Sequence, residues 1–62
     1  MQFFEKVKFA RVKLNLTQRQ LAKALNVSFV TVNRWENSQV MPRPLAEKTF
    51  YDFCENNFVV FE

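Results

Sequence analysis

Within NVSFVTVNRWEN, residues 26–37, lie the side chains of this chain best suited to specific non-covalent chemistry. Asn33 carries a carboxamide and Arg34 a guanidinium, and each can make two parallel hydrogen bonds to a planar partner. Phe29 and Val30, one helical turn earlier, are apolar. A core helix has no use for Asn33 and Arg34, and a solvated helix has none for Phe29. The mixture does suit the edges of base pairs in the major groove of double-stranded DNA, where acceptors, donors and the thymine methyl stand side by side. Arg34 matches guanine O6 and N7, Asn33 matches adenine or a phosphate, and Phe29 or Val30 can cover a thymine methyl.

Other chemistries lack their residues. The chain has no His, so the commonest general base is missing. Its one cysteine, Cys54, falls in an apolar helical stripe and reads as core, not nucleophile. Structural zinc wants four Cys or His ligands, a set this composition does not hold. We therefore expect no enzyme, no catalytic residue, no metal site and no cofactor. A lone cysteine also argues against a disulfide scaffold and for a reducing, cytoplasmic setting. No apolar run approaches the roughly 20 residues of a membrane span, and charges interrupt every apolar stretch of the segment MQFFEKVKFARVK. No membrane partner is expected.

Charge is unevenly distributed. Residues 1–43 hold eight Lys or Arg against two Glu, a net +6, whereas residues 44–62 hold one Lys against four acids, a net −3. A basic body followed by an acidic segment points to a polyanionic partner on one side.

The elements that must position these groups follow from apolar spacing and end signals. The 62 residues suffice for one domain, 1–62, and one core. Phe3, Val7, Ala10 and Leu14 recur at helical intervals and predict a first helix over about 3–14, closed by Asn15, a residue that tolerates left-handed backbone. TQRQ at 17–20 has the form of a capping box and opens a second helix over 18–25, which ends at Asn26. Ser28 caps a third over 29–37, with Val32 and Trp35 on its inner face and Asn37 and Ser38 at its end. Pro44 suits the first position of a fourth helix over 44–56, with Ala46, Phe50, Phe53 and Cys54 inward. Leu14, Leu16, Leu21, Ala22, Leu25, Val32, Trp35, Phe50 and Phe53 are the expected core. No strand period is convincing, so the fold class is all-α, with four to five short helices.

The second helix, a tight turn and the third helix form a helix-turn-helix at about 18–37. Gln18, Ala22, Asn26, Val27, Val32 and Trp35 lie at offsets 0, 4, 8, 9, 14 and 17. Ala22 must be small where the third helix crosses, Asn26 makes the left-handed turn, and Val27, Val32 and Trp35 plug the crossing. At these positions the chain resembles the Cro/C1-type, lambda-repressor-like helix-turn-helix family, over roughly residues 3–56 and most specifically in LTQRQLAKALNVSFVTVNRWEN. It departs from the family at Asn26 and Ser38, where Gly is usual, and in its long Phe-rich fourth helix.

The resemblance implies a DNA-binding fold with the third helix in the major groove. Phe29, Val30 and Arg34 match the family's usual base-reading positions, and Asn33 a more variable one. For phosphates, Gln18 stands at a positive helix end, and the resemblance adds Thr17, Ser28, Asn37 and Arg43. It further implies an ion pair, largely out of water, between Arg11 and Glu36. The expected function is sequence-specific binding of double-stranded DNA by a small transcriptional repressor. It would be a monomer or weak homodimer that pairs on DNA, with the apolar FVVF segment as contact, and no small-molecule effector. Two alternatives remain: a protein-interaction module such as an antitoxin body or adaptor, which Phe29 keeps open, and a DNA-targeting domain cut from a longer protein.

Overall fold

The computed structural model of the chain describes residues 1–37 and 41–61. It contains α1 (Phe3–Lys13), α2 (Gln18–Leu25), α3 (Phe29–Asn37) and α4 (Pro44–Asn56), with no strand among the described residues. The all-α expectation holds, and the helix boundaries agree within one residue. Ser38, expected at the end of α3, lies outside the described residues.

Each helix begins on an identifiable signal. The amide of Gln2 donates to Glu5 Oε1 at 2.7 Å at the start of α1. At α2 the capping box is complete: Gln20 N–H donates to Thr17 Oγ1 at 3.1 Å, and Thr17 N–H donates to Gln20 Oε1 at 2.8 Å. Ser28 Oγ accepts the Thr31 amide at 3.1 Å at the start of α3. Pro44 begins α4, preceded by Arg43 in extended geometry (φ −67°, ψ 152°), as a residue before proline must be.

The helix ends solve a harder problem, because this sequence has no glycine. Three helices close by the same paired bonds, in which one amide reaches back five residues and the preceding amide three. The pairs are Leu16 to Arg11 with Asn15 to Val12, Val27 to Ala22 with Asn26 to Lys23, and Val59 to Cys54 with Phe58 to Glu55. Each pair demands a left-handed residue, supplied by Asn15 (φ 57°), Asn26 (φ 58°) and Phe58 (φ 59°). The two asparagines were expected from sequence. Phe58 was not, since an aromatic residue has no local means of offsetting the clash of its Cβ with the carbonyl that follows.

α1 and α2 both pack against α3, and α4 closes over α2. The core comprises Phe3, Val7 and Ala10 from α1, Leu21, Ala22 and Leu25 from α2, Val32 and Trp35 from α3, Phe50 and Cys54 from α4, and Val59. Phe3 is its aromatic hub, edge-on to Trp35 at 5.5 Å and to Phe50 at 5.4 Å. Three expected core residues, Leu14, Leu16 and Phe53, are only half-buried against this cluster. α1 stops before Leu14, so Leu14 and Leu16 lie in the turn. On α4 the deepest stripe runs from Phe50 to Cys54, which leaves Phe53 at its margin. Cys54 is 2% exposed, and burial pushes its thiol pKa up to about 11, so the thiol is protonated at neutral pH.

After α4 the chain folds back onto α1. Phe61 packs on Phe9 at 5.7 Å between ring centres, and Lys6 Nζ sits over the rings of both Tyr51 (5.3 Å) and Phe61 (5.6 Å). Val59 points into the core while Phe58, 87% exposed, points away from it. The left-handed conformation at Phe58 is therefore tolerated for the sake of Val59, and little burial compensates it locally. Phe58→Gly should raise stability by ~0.5–1 kcal/mol: relief of a left-handed penalty of ~1–2 kcal/mol, less ~0.5–1 kcal/mol for glycine's freedom in the unfolded chain. Urea denaturation of the two proteins measures this, and a less stable variant would mean that the exposed ring makes a contact the core needs.

Candidate nucleic-acid interface

The outer surface of α3 is defined by what its inner surface must do. Val32 and Trp35 are buried, so the helix presents Phe29, Val30, Asn33 and Arg34 on its other side. These four lie in two pairs one turn apart, Phe29 with Asn33 and Val30 with Arg34. Val30 is 58% exposed, and Arg34 is exposed with no ion-pair partner among the described residues. Phe29 and Asn33 are half-buried, which sequence reasoning did not anticipate.

The cause is the first turn of α2. Asn33 Nδ2 donates to Gln18 Oε1 at 3.1 Å, so the residue expected to touch phosphate and a residue expected to touch bases are bonded to each other. The next residue, Arg19, lays its guanidinium over the Phe29 ring at 4.4 Å from the ring centre. Two adjacent residues of α2 thus grip two residues of α3 one turn apart. The Gln18–Asn33 bond leaves both N–H groups of Gln18 free to donate, and leaves Asn33 its oxygen and a second N–H. Arg19 had no assigned role in the sequence reading. The signal that could have found it is the HTH spacing itself, which brings the start of α2 over the start of α3.

The other expected phosphate ligands surround this surface less tightly. Thr17 is exposed, with its hydroxyl oxygen accepting the Gln20 amide. The Ser28 hydroxyl lies 2.9 Å from that of Thr31. Asn37 is exposed at the end of α3, and Arg43 is exposed at the start of α4.

Behind the surface, Arg11 of α1 reaches Glu36 of α3. Arg11 Nε donates to Glu36 Oε2 at 2.8 Å, and a terminal guanidinium nitrogen donates to Glu36 Oε1 at 3.1 Å. The other terminal nitrogen donates to the Leu16 carbonyl at 3.2 Å. One guanidinium therefore ties together α1, the turn before α2, and the end of α3. The hydrogen bond to Glu36 raises the Arg11 pKa above its ordinary value, against the opposing effect of partial burial.

Four helices on one core among the described residues, with the second and third joined through a left-handed asparagine and the third presenting a mixed polar and apolar outer face, define a helix-turn-helix protein. The helix-turn-helix family matches residues 7–46, more than half of the chain. The chain belongs to the Cro/C1-type helix-turn-helix family of DNA-binding regulators. It is similar to the HTH-type transcriptional regulator DicA of Escherichia coli (strain K12), 45% identical over 38 residues. The match covers 61% of this chain and 28% of DicA, so the chain spans little more than a quarter of that relative. No solved structure matches the chain significantly.

The two members of the ion pair are unequally dry: the Glu36 side chain is 4% exposed and that of Arg11 18%. Removing the arginine strands a buried carboxylate, whereas removing the acid leaves a guanidinium that water can still reach. Arg11→Met should cost about 3–5 kcal/mol. Glu36→Gln, which keeps an acceptor in place, should cost about 1–2 kcal/mol. Chemical denaturation of both variants checks the order, and equal losses would mean that the pair is effectively solvated.

Proposed function

We propose that this chain binds double-stranded DNA sequence-specifically, with α3 in the major groove, and acts as a small transcriptional repressor by occupying its site. The observation that carries this reading is the division of α3 into two faces. Val32 and Trp35 lock one face into the core, while Val30 and Arg34 stand exposed on the other beside a bonded Gln18–Asn33 pair. In this reading Arg34 takes guanine, Val30 and the edge of Phe29 take thymine methyls, and Asn33 uses its oxygen and free N–H on a neighbouring base. Gln18, from the start of α2, donates to a backbone phosphate, and Thr17, Ser28, Asn37 and Arg43 flank it along the strand. The similarity to DicA, a transcriptional regulator, supports the regulatory part of the reading.

The protein-interaction alternative rested on a freely exposed Phe29. With that ring half-buried under Arg19, its main support is weakened. Among the exposed apolar side chains of the described residues, Phe58 and Val60 lie two residues apart after α4, 87% and 67% exposed. We place a weak homodimer contact there, pairing two copies on adjacent half-sites about one helical turn apart. Sedimentation of Phe58→Gly should then show less self-association than the parent at equal concentration, and an unchanged association would move the contact elsewhere.

Readout is tested by comparing two variants on a selected site and its single-base changes at fixed salt. Arg34→Ala should lose about 1–3 kcal/mol of discrimination at one base pair, a G·C pair. Gln18→Ala should weaken all sequences about equally, because a phosphate carries no base identity. If Arg34→Ala kept every base preference while Gln18→Ala altered one, the proposed docking of α3 would be wrong.

A further inference from the structure

Arg19 stands where its own helix disfavours it. It lies in the first turn of α2, next to the positive end of the helix dipole, and that turn holds no acidic residue. No carboxylate of the described residues pairs with it. What holds it is the face of Phe29, with the guanidinium carbon 4.4 Å from the ring centre. This contact occupies the ring face of Phe29 and consumes none of the guanidinium N–H groups, which stay available to a partner. Phe29 is the first residue of α3 and Arg19 the second of α2, so the cation sits on the seam between the two helix starts.

We propose that Arg19 is a clamp for a DNA backbone phosphate and that Phe29 is the platform that positions it. This inference rests on the DNA-binding reading above and adds to it a charged contact and a second role for Phe29. An anion arriving at the seam meets the guanidinium, the unsatisfied amides at the start of α2 and the Gln18 carboxamide together. It thereby relieves the unfavourable placement of the cation. A phosphate is the fitting anion, since α2 crosses the DNA backbone while α3 enters the groove, and a planar fork of N–H donors matches phosphate oxygens two at a time. The ring narrows the rotamers open to Arg19, so less freedom is lost when the phosphate binds. The stack also ties backbone grip to the residue that begins the reading helix. A Phe29 turned away to follow a different base would release the clamp.

The test uses the full chain on random-sequence duplex, where base-specific contacts of Phe29 contribute little, and titrates salt. Arg19→Gln should make the slope of log affinity against log salt shallower by about 0.9, the share of one phosphate. Phe29→Leu should weaken binding to the same duplex in the parent but add nothing in the Arg19→Gln background, and Phe29→Tyr, which keeps the ring, should restore it. An unchanged slope in Arg19→Gln overturns the clamp. So does a loss confined to one base pair, which would make Arg19 a base reader. Equal losses from Phe29→Leu in both backgrounds overturn the platform. If the parent itself showed no salt-dependent binding to duplex, the DNA-binding reading would fail first, a result distinct from a normal parent slope that Arg19→Gln leaves intact.

Discussion

The arrangement of this protein depends on one guanidinium. Arg11 makes two hydrogen bonds to Glu36 and one to the carbonyl of Leu16, and so joins the first helix, the turn that launches the second and the end of the third. Such a pair adds little net stability, because withdrawing the Glu36 carboxylate from water offsets most of its attraction. Its effect is on geometry. Apolar packing of Val32 and Trp35 permits small rotations of α3, whereas a two-pronged ion pair at the far end of that helix does not. The outer face of α3 is thereby held at a fixed angle to α2, which any readout of a rigid groove requires.

The near end of α3 is held by different chemistry. There the grip is a neutral amide–amide bond, Gln18 to Asn33, and a cation on an aromatic face, Arg19 to Phe29. These contacts are half-exposed, so they restrain the surface without desolvating it fully. The groups that remain free, Arg34 and Val30, project between a firmly fixed end and an adaptable one. A dry ion pair would suit this position badly, because its groups could not also serve an incoming ligand.

Helix closure shows how a chain without glycine meets a demand that glycine usually meets. The turn between α2 and α3 needs a left-handed residue so that Val27 can fold back over Ala22, and Asn26 supplies it. Asn15 does the same for Leu16 over the end of α1. At the end of α4 a phenylalanine takes the place, and the burial of Val59 in the next position is what makes it tolerable. That last turn sends Phe61 back to α1, where the Lys6 ammonium lies over its ring and that of Tyr51. The C-terminal segment is thus part of the packed structure and not a tail.

Local signals sufficed for most of what depends on near neighbours in the chain, the left-handed Phe58 excepted. The Thr17–Gln20 capping box, the left-handed Asn15 and Asn26, Pro44 at a helix start and the offsets from Gln18 to Trp35 are short-range patterns, and each has one physical solution. The family resemblance rests on the same residues. What the sequence could not decide depends on distances between elements. That Phe3, Val7 and Ala10 lie deeper than Leu14 and Leu16 follows from which side of α1 meets α3. That Phe29 is half-covered follows from where α2 sets Arg19, ten residues earlier. A helical pattern tells which residues share a face, but exposure is fixed by what another helix brings to that face. The outward Phe58 has the same origin: spacing alone marks Phe58, Val59, Val60 and Phe61 as equally apolar, and only the packed end of α4 chooses which of them turns inward.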